Sequence, residues 1–381
     1  MKFRLFFLAL ALGLLTVTGG RGSAQEQFPY QIFERYLEPL FQQIGMPGLT
    51  AVIVQDKAIA WSRNYGYADV ERQIRPSLDT PYPVGGITQA LTGVLAGVCI
   101  DRFGLNIDTQ DIRNFVPAFP IAETSVRQVL SHASGGRFRY DSALYSSLTS
   151  VMESRECFNQ NFRKAMAAEV FDRLALRRTV PGLDLARAEG DAARALFDDA
   201  TVRRYQAVLN DPANPLAVPY RIDAKGRSFR SEYPSYGMDA ASGLVTTAND
   251  LANLQIELEK RNGVPLSFTT LDKMWSNTTF TVASGNANAP IVMPTGLGWF
   301  VTNESGQRLV WTFGHIPDAG SALIVKLTCP PTVAGAVSTC IDKKLTLILL
   351  ANSGGLVQGY NLENATVTAS PFVKVFLRLF I

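Results

Sequence analysis

Two β-rich stretches stand at opposite ends of the chain, with a long helical and loop-like segment between them. Near the start, Leu49-Thr-Ala-Val-Ile-Val and Ala58-Ile-Ala-Trp-Ser-Arg-Asn-Tyr flank Gln55-Asp56-Lys57, which predicts a hairpin. Near the end, residues 296–302, 309–313, 321–327 and 344–351 are further strand-like runs. Two β-rich ends around a helical middle predict one sheet assembled from both termini, with the middle inserted as a separate lobe. The expected fold class is therefore α/β. An antiparallel sheet is built from N- and C-terminal segments (about 25–68 and 245–381), flanked by helices, with an inserted all-helical lobe (about 69–244). A helix is expected near residues 30–43. Residues 371–381 read as a terminal helix packed on the sheet, because Lys374 and Arg378 fall four apart on one face of an otherwise apolar segment.

The chain has 381 residues, 47% of them apolar and 18% charged, enough to bury a large core. Its first two dozen residues read as an export leader. Lys2 and Arg4 precede an apolar run over residues 5–15, and Gly22-Ser23-Ala24 supplies small residues for cleavage before Gln25. The apolar run is too short for the roughly 20 residues that span a bilayer. The leader also contains Arg21 and no acid, so removing its three bases from the 36 in the chain leaves 33 bases against 33 acids. A neutral chain without a basic run has no electrostatic drive toward nucleic acid or an anionic membrane, and neither is expected as a partner. Stable membrane insertion is not expected after cleavage.

Export to an oxidising compartment makes disulfides available to the four cysteines. Cys329 and Cys340 bracket a turn-rich stretch between two strand-like runs, and a bond between them would close that hairpin loop. Cys99 sits in the apolar helical stretch 91–100, where a buried free thiol is the expected state; pairing with Cys157 is the alternative.

Several catalytic signatures are missing: there is no G-x-S-x-G, G-x-x-x-x-G-K-[ST], H-E-x-x-H or C-x-x-C. With only His132 and His315, far apart in sequence, no metal site and no cofactor are expected. In order along the chain, Gly45-Met-Pro-Gly-Leu-Thr-Ala-Val-Ile-Val, Asn64-Tyr-Gly-Tyr-Ala-Asp, Val129-Leu-Ser-His-Ala-Ser-Gly, Ala241-Ser-Gly-Leu-Val-Thr-Thr-Ala-Asn-Asp-Leu, Gly296-Leu-Gly-Trp and Phe313-Gly-His recur. This series resembles the serine β-lactamase-related family, which includes class C β-lactamases, DD-peptidases and related esterases. The resemblance runs from about Ile44 to Gly355 and implies a β-lactamase or penicillin-binding-protein transpeptidase-like fold.

The family's nucleophile comes from S-x-x-K. Residues three apart on a helix share a face, so a serine at the helix start and a lysine one turn later meet, with the helix N-terminus favouring developing negative charge. The matching stretch is Pro83-Val-Gly-Gly-Ile-Thr-Gln, which places Gly86 at the serine and Gln89 at the lysine. Thr88, two positions on, points about 200° away on a helix and is not expected to replace it. The family's Y-x-N matches Tyr140-Asp141-Ser142, with the tyrosine retained and the asparagine lost. Its K-T-G or H-x-G strand matches His315-Ile316-Pro317, where proline fixes φ and supplies no N–H. His132 resembles a family segment that turns the chain, and is read as structural.

The resemblance therefore implies an exported relative that has lost acyl transfer, binding a cell-wall-type peptide or a protein partner through Tyr140, Ser142, His315 and Asp318. The alternative is an esterase or peptidase of altered mechanism in which Tyr140 or His315 activates water.

Overall fold

The computed structural model describes residues 24–187, 195–234, 237–284, 287–329, 340 and 342–381. The expected leader lies outside the described residues apart from Ala24. Helix α1 (Ala24–Ile44) leads into a hairpin of β1 (Gly48–Gln55) and β2 (Ala58–Gly66), and the central helix α2 (Ile87–Phe103) follows. After the inserted segment come α3 (Ala248–Lys260) and α4 (Phe268–Met274). Strands β3 (Phe300–Glu304), β4 (Gln307–Ile316), β5 (Gly320–Thr328) and β6 (Leu345–Ala351) and the terminal helix α5 (Pro371–Phe380) complete the chain.

The six strands form one antiparallel sheet in the order β2-β1-β6-β5-β4-β3. The two ends of the chain meet where β1 pairs with β6, from Leu49 opposite Ala351 to Gln55 opposite Leu345. Side chains alternate across a strand, and here both faces are covered. Val52 and Val54 of β1, with Ile348 and Leu350 of β6, pack toward the inserted lobe. Leu49, Ala51 and Ile53, with Leu347 and Leu349, pack on the opposite face. Burial on both sides is why these strands read as unbroken apolar runs.

The outer face is covered by α1 and α5. Phe372, Val373, Phe376, Leu377 and Phe380 recur at helical spacing and are buried, while Lys374 and Arg378 face outward. Phe376 packs edge-on against Phe33 of α1, with ring centres 6.1 Å apart. On the inner face, α2 is buried from Ile87 through Cys99, as a helix apolar on all sides must be. The inserted segment is mainly short helices. It also carries the strand pair Tyr220–Ile222 with Ser228–Arg230, and its Tyr82–Pro83 pairs with Val245–Thr246. Among the described residues no helix is long and apolar enough to cross a membrane.

Three expectations need correction. The inserted lobe is not all-helical, because Tyr220–Ile222 and Ser228–Arg230 pair across a turn in which Gly226 takes a φ of +73°. The run 296–302 is strand only from Phe300, because its first half is a turn. Gly298 adopts φ +74° and packs so closely on α2 that a Cβ there would lie 2.3 Å from the Gln89 carbonyl oxygen. Cys99 is not a free thiol. It is bonded to Cys157, 58 residues away, with Cα atoms 5.3 Å apart. Because α2 is apolar on every side, its composition could not say which neighbour each position faces. Cys329 and Cys340 are bonded as expected; the loop between them, residues 330–339, lies outside the described residues.

Candidate functional site

The start of α2 meets the end of β4 at the floor of a cleft of about 720 Å³. Gly86, the N-cap of α2, has ordinary helical φ/ψ of −64° and −9° and no side-chain cap bond. Its backbone would suit any residue, so the constraint comes from space. A Cβ at position 86 would lie 2.8 Å from the Phe313 carbonyl oxygen and 2.8 Å from Tyr140 Oη. Across from it, a Cβ on Gly314 would lie 1.7 Å from the Val84 carbonyl oxygen. Strand β4 and the helix start thus pack backbone against backbone, an approach that only glycine permits. A serine at position 86 requires β4 or Tyr140 to move. Thr88 offers no substitute, since its buried hydroxyl donates to the Gly85 carbonyl at 2.7 Å and accepts from Leu244 N at 3.2 Å.

One turn along α2, Gln89 is buried with its whole amide in use. Its Nε2 donates to Tyr140 Oη at 3.1 Å and Ser142 Oγ at 3.2 Å, and its Oε1 lies 2.9 Å from His132 Nε2. The backbone N–H of Asp141 points at His132 Nδ1 from 3.2 Å. That donor requires Nδ1 to be bare, which puts the imidazole proton on Nε2, where it donates to Gln89. His132 therefore holds the amide that occupies the lysine position. It sits at φ +52° and lies between Tyr140 and Tyr145, with ring centres 4.6 and 4.9 Å away. Burial pushes its pKa down to about 3, opposed by the charge of Asp141, so the ring is neutral.

Burial raises the Tyr140 pKa, opposed by hydrogen bonds from Ser142 and Gln89. Its oxygen accepts the Gln89 amide, leaving its own O–H to offer a ligand. Ser142 is the cleft hydroxyl closest to this network, but its neighbours Gln89 and Tyr140 are not bases at neutral pH. His315 lines the cleft near the end of β4, followed by Ile316 and Pro317. Burial lowers its pKa against the opposing charges of Glu363 and Asp318, so it too is neutral.

Of the residues expected to contact a ligand, Tyr140, Ser142 and His315 converge on the cleft and Asp318 does not. Asp318 occupies a turn at φ +58°, where its carbonyl accepts Ser231 Oγ at 2.5 Å. The rest of the wall includes Glu232, Tyr233, Ser242 and Glu363, which sequence reasoning missed. The Ala241-Ser-Gly segment was visible as a family element, whereas Glu232 stands in a loop and Glu363 in the short 3₁₀ turn Leu362–Asn364, neither with a signature. Among the described residues, two carboxylates and no lysine or arginine line the cleft.

The comparisons with known proteins agree with this architecture. A family model described as Beta-lactamase matches residues 33–367. Protein flp of Staphylococcus aureus (strain N315) is 22% identical over 324 residues, 77% of this chain, and the match spans 60% of the length of flp. The serine beta-lactamase-like protein LACTB, mitochondrial, of Homo sapiens is 29% identical over 108 residues, which is 26% of this chain and 20% of the relative. Among solved structures, the octameric penicillin-binding protein homologue from Pyrococcus abyssi superposes with a TM-score of 0.65 at 18% identity, covering 89% of this chain and 77% of that one. A crystal structure of SurE gives 0.63 at 19% identity, covering 93% and 77%. With a sheet closed by both termini, a central helix starting at the cleft and a matching model over most of its length, the chain belongs to the beta-lactamase family.

Proposed function

We propose that this protein is a non-acylating member of the family that binds a peptide in its cleft, and that it is exported by its leader. The observation that carries the reading is the packing at Gly86, where a Cβ would fall 2.8 Å from the Phe313 carbonyl. Acyl transfer needs an activated nucleophile, and this position holds neither the hydroxyl nor room for it. The lysine position is filled by an amide already bonded to three partners.

The lining supports one class of ligand. Among the described residues, Glu232 and Glu363 stand in the wall with the neutral His315 and no lysine or arginine, while Tyr140 supplies a neutral donor. A free carboxylate would meet like charge; a free amine would meet opposite charge. The ligand is an amine-bearing peptide, either of cell-wall type or a basic segment of a protein partner. Two disulfides and the absence of a membrane-spanning helix among the described residues are compatible with export. Calorimetric titration with short peptides tests the reading. Peptides carrying a free amine should bind, N-acetylated versions should bind at least several-fold more weakly, and Glu363→Gln should reduce the difference. Equal affinity for both forms would contradict it.

A second reading is hydrolysis of an ester or peptide by water. One observation favours it: His315 faces the cleft as a neutral imidazole, the form that accepts a proton. Turnover of aryl esters that His315→Asn abolishes, and that survives further purification, would establish this reading over the first.

A further inference from the structure

At the opposite end of the sheet from the cleft, a second cavity of about 470 Å³ is lined by the strand ends. Arg308 stands at the start of β4 and His315 near its end, seven residues on, so the two sites are about 24 Å apart along the strand. The cavity wall carries six bases, Lys57, Lys260, Arg261, Arg308, Lys326 and Lys344, against the acids Glu259 and Asp342. Three of those bases have local partners. Lys326 pairs with Glu259 at short range, Arg261 with Asp272, and Lys260 with Glu257 at 2.6 Å. Lys57, Arg308 and Lys344 remain against Asp342.

Arg308 is the exceptional member. It is only 8% exposed, and among the described residues no hydrogen bond or ion pair engages its guanidinium; its Nε is buried without a partner. Charged groups are rarely buried unless paired. Burial works against the Arg308 charge; Asp272 and Asp342 favour the charge through space without closing a bond, and Arg261 opposes them. Beside it, the indole Nε1 of Trp275 is a second buried donor without an acceptor, while Lys326 Nζ lies 5.2 Å from that ring. Two groups are contrary: Glu259 Oε2 is buried and unpartnered, its charge offset by Lys326 on the other oxygen, and the exposed Asp342 stands against Lys57, Arg308 and Lys344.

We propose that this cavity is an anion site that binds a phosphate group, with the Arg308 guanidinium as its central donor and Lys57 and Lys344 as flanking charges. A planar guanidinium offers paired N–H groups in the geometry that phosphate oxygens accept. The exposed ammoniums add charge with little directional demand. The volume accommodates more than a bare ion, so the source is either free phosphate or a small organic phosphate ester, for which glycerol phosphate is the probe.

The test is a titration of the full chain with inorganic phosphate and with glycerol phosphate at low ionic strength, followed by calorimetry and melting temperature. Chloride at matched ionic strength is the control. Saturable binding absent with chloride is expected, and the tighter of the two ligands identifies the source. Arg308→Gln should weaken binding at least tenfold. Lys57→Gln combined with Lys344→Gln, both in exposed positions, should weaken it several-fold and flatten its salt dependence while the protein stays folded. Arg308→Met should melt higher than the parent without phosphate and lose that advantage when phosphate is added. Failure of both ligands to bind saturably, or binding unchanged in the Lys57 and Lys344 double variant and in Arg308→Gln, would overturn the proposal.

Discussion

The Nε2 of His132 donates to the side-chain oxygen of Gln89 across 2.9 Å, although the two residues are 43 apart in sequence. Because Asp141 N donates to the other ring nitrogen, the imidazole cannot turn its proton away from Gln89 without leaving that N–H unmatched. The network is built for an amide. Leucine at position 89 would strip partners from His132, Tyr140 and Ser142 together. Gln89→Leu should destabilise the fold by about 1–3 kcal/mol, the range for leaving a buried polar group unsatisfied. Urea unfolding measures it, and a change within experimental error would show that the network contributes little.

Restoring the ancestral-looking residues should not restore chemistry. A lysine at position 89 presents donors to the donor on His132 Nε2, and a serine at position 86 meets the Phe313 carbonyl. Gly86→Ala should cost about 1–3 kcal/mol through overpacking. The double variant Gly86→Ser with Gln89→Lys should fold less stably and remain unlabelled by a fluorescent penicillin. Labelling of that variant at a rate comparable to an active family member would mean that β4 yields easily.

Acid should weaken the fold earlier than carboxylate titration explains. His132 has a folded pKa of about 3, below the roughly 6.5 of an unfolded histidine. Between those values the unfolded chain binds a proton that the folded chain does not. Stability is therefore complete above about pH 6.5 and falls as pH drops toward 3, by about 1.4 kcal/mol per pH unit for each proton. His315, also lowered by burial, acts with the same sign. Unfolded carboxylates titrate near pH 4, so the fall from pH 6.5 to 5 comes from the histidines; Asp250, whose pKa burial raises, acts with the opposite sign and does not produce it. The melting temperature should fall across it, and should still fall in His315→Gln; a flat profile would contradict the neutral, buried His132.

The two disulfides should not be equivalent. Loop-closure entropy grows with the span closed. Cys99 and Cys157 close 58 residues and Cys329 and Cys340 close 11, which corresponds to about 4 and about 3 kcal/mol on that account. Replacing Cys99 and Cys157 together by alanine should lower the urea midpoint more than replacing Cys329 and Cys340. The reverse order would show that native-state packing, not chain restriction, sets their worth.

The sheet was legible in the sequence because its inner strands are apolar on both faces, so the runs around Val52 and Ile348 stand out whatever their partners. The first two site positions were legible for another reason: Gly86 and Gln89 occupy a spacing whose chemistry is fixed by the helix turn. What the sequence could not convey was contact at a distance. His132 reads as a turn residue, and only folding brings its ring to Gln89. Cys99 reads as one more apolar position on α2 until Cys157 is placed beside it. Asp318 lies three residues from His315, yet a turn at positive φ carries it out of the cleft, while Glu363 enters from a short 3₁₀ turn that shares no pattern with the rest. The strand expected from residue 296 begins at Phe300 because Gly298 is held against Gln89.

The proposed absence of an acylating group in the cleft is tested most directly by intact-mass spectrometry after incubation with a β-lactam. The purified protein should keep its unmodified mass after prolonged exposure to excess drug. A stoichiometric adduct mapped to any residue lining the cleft would contradict the account.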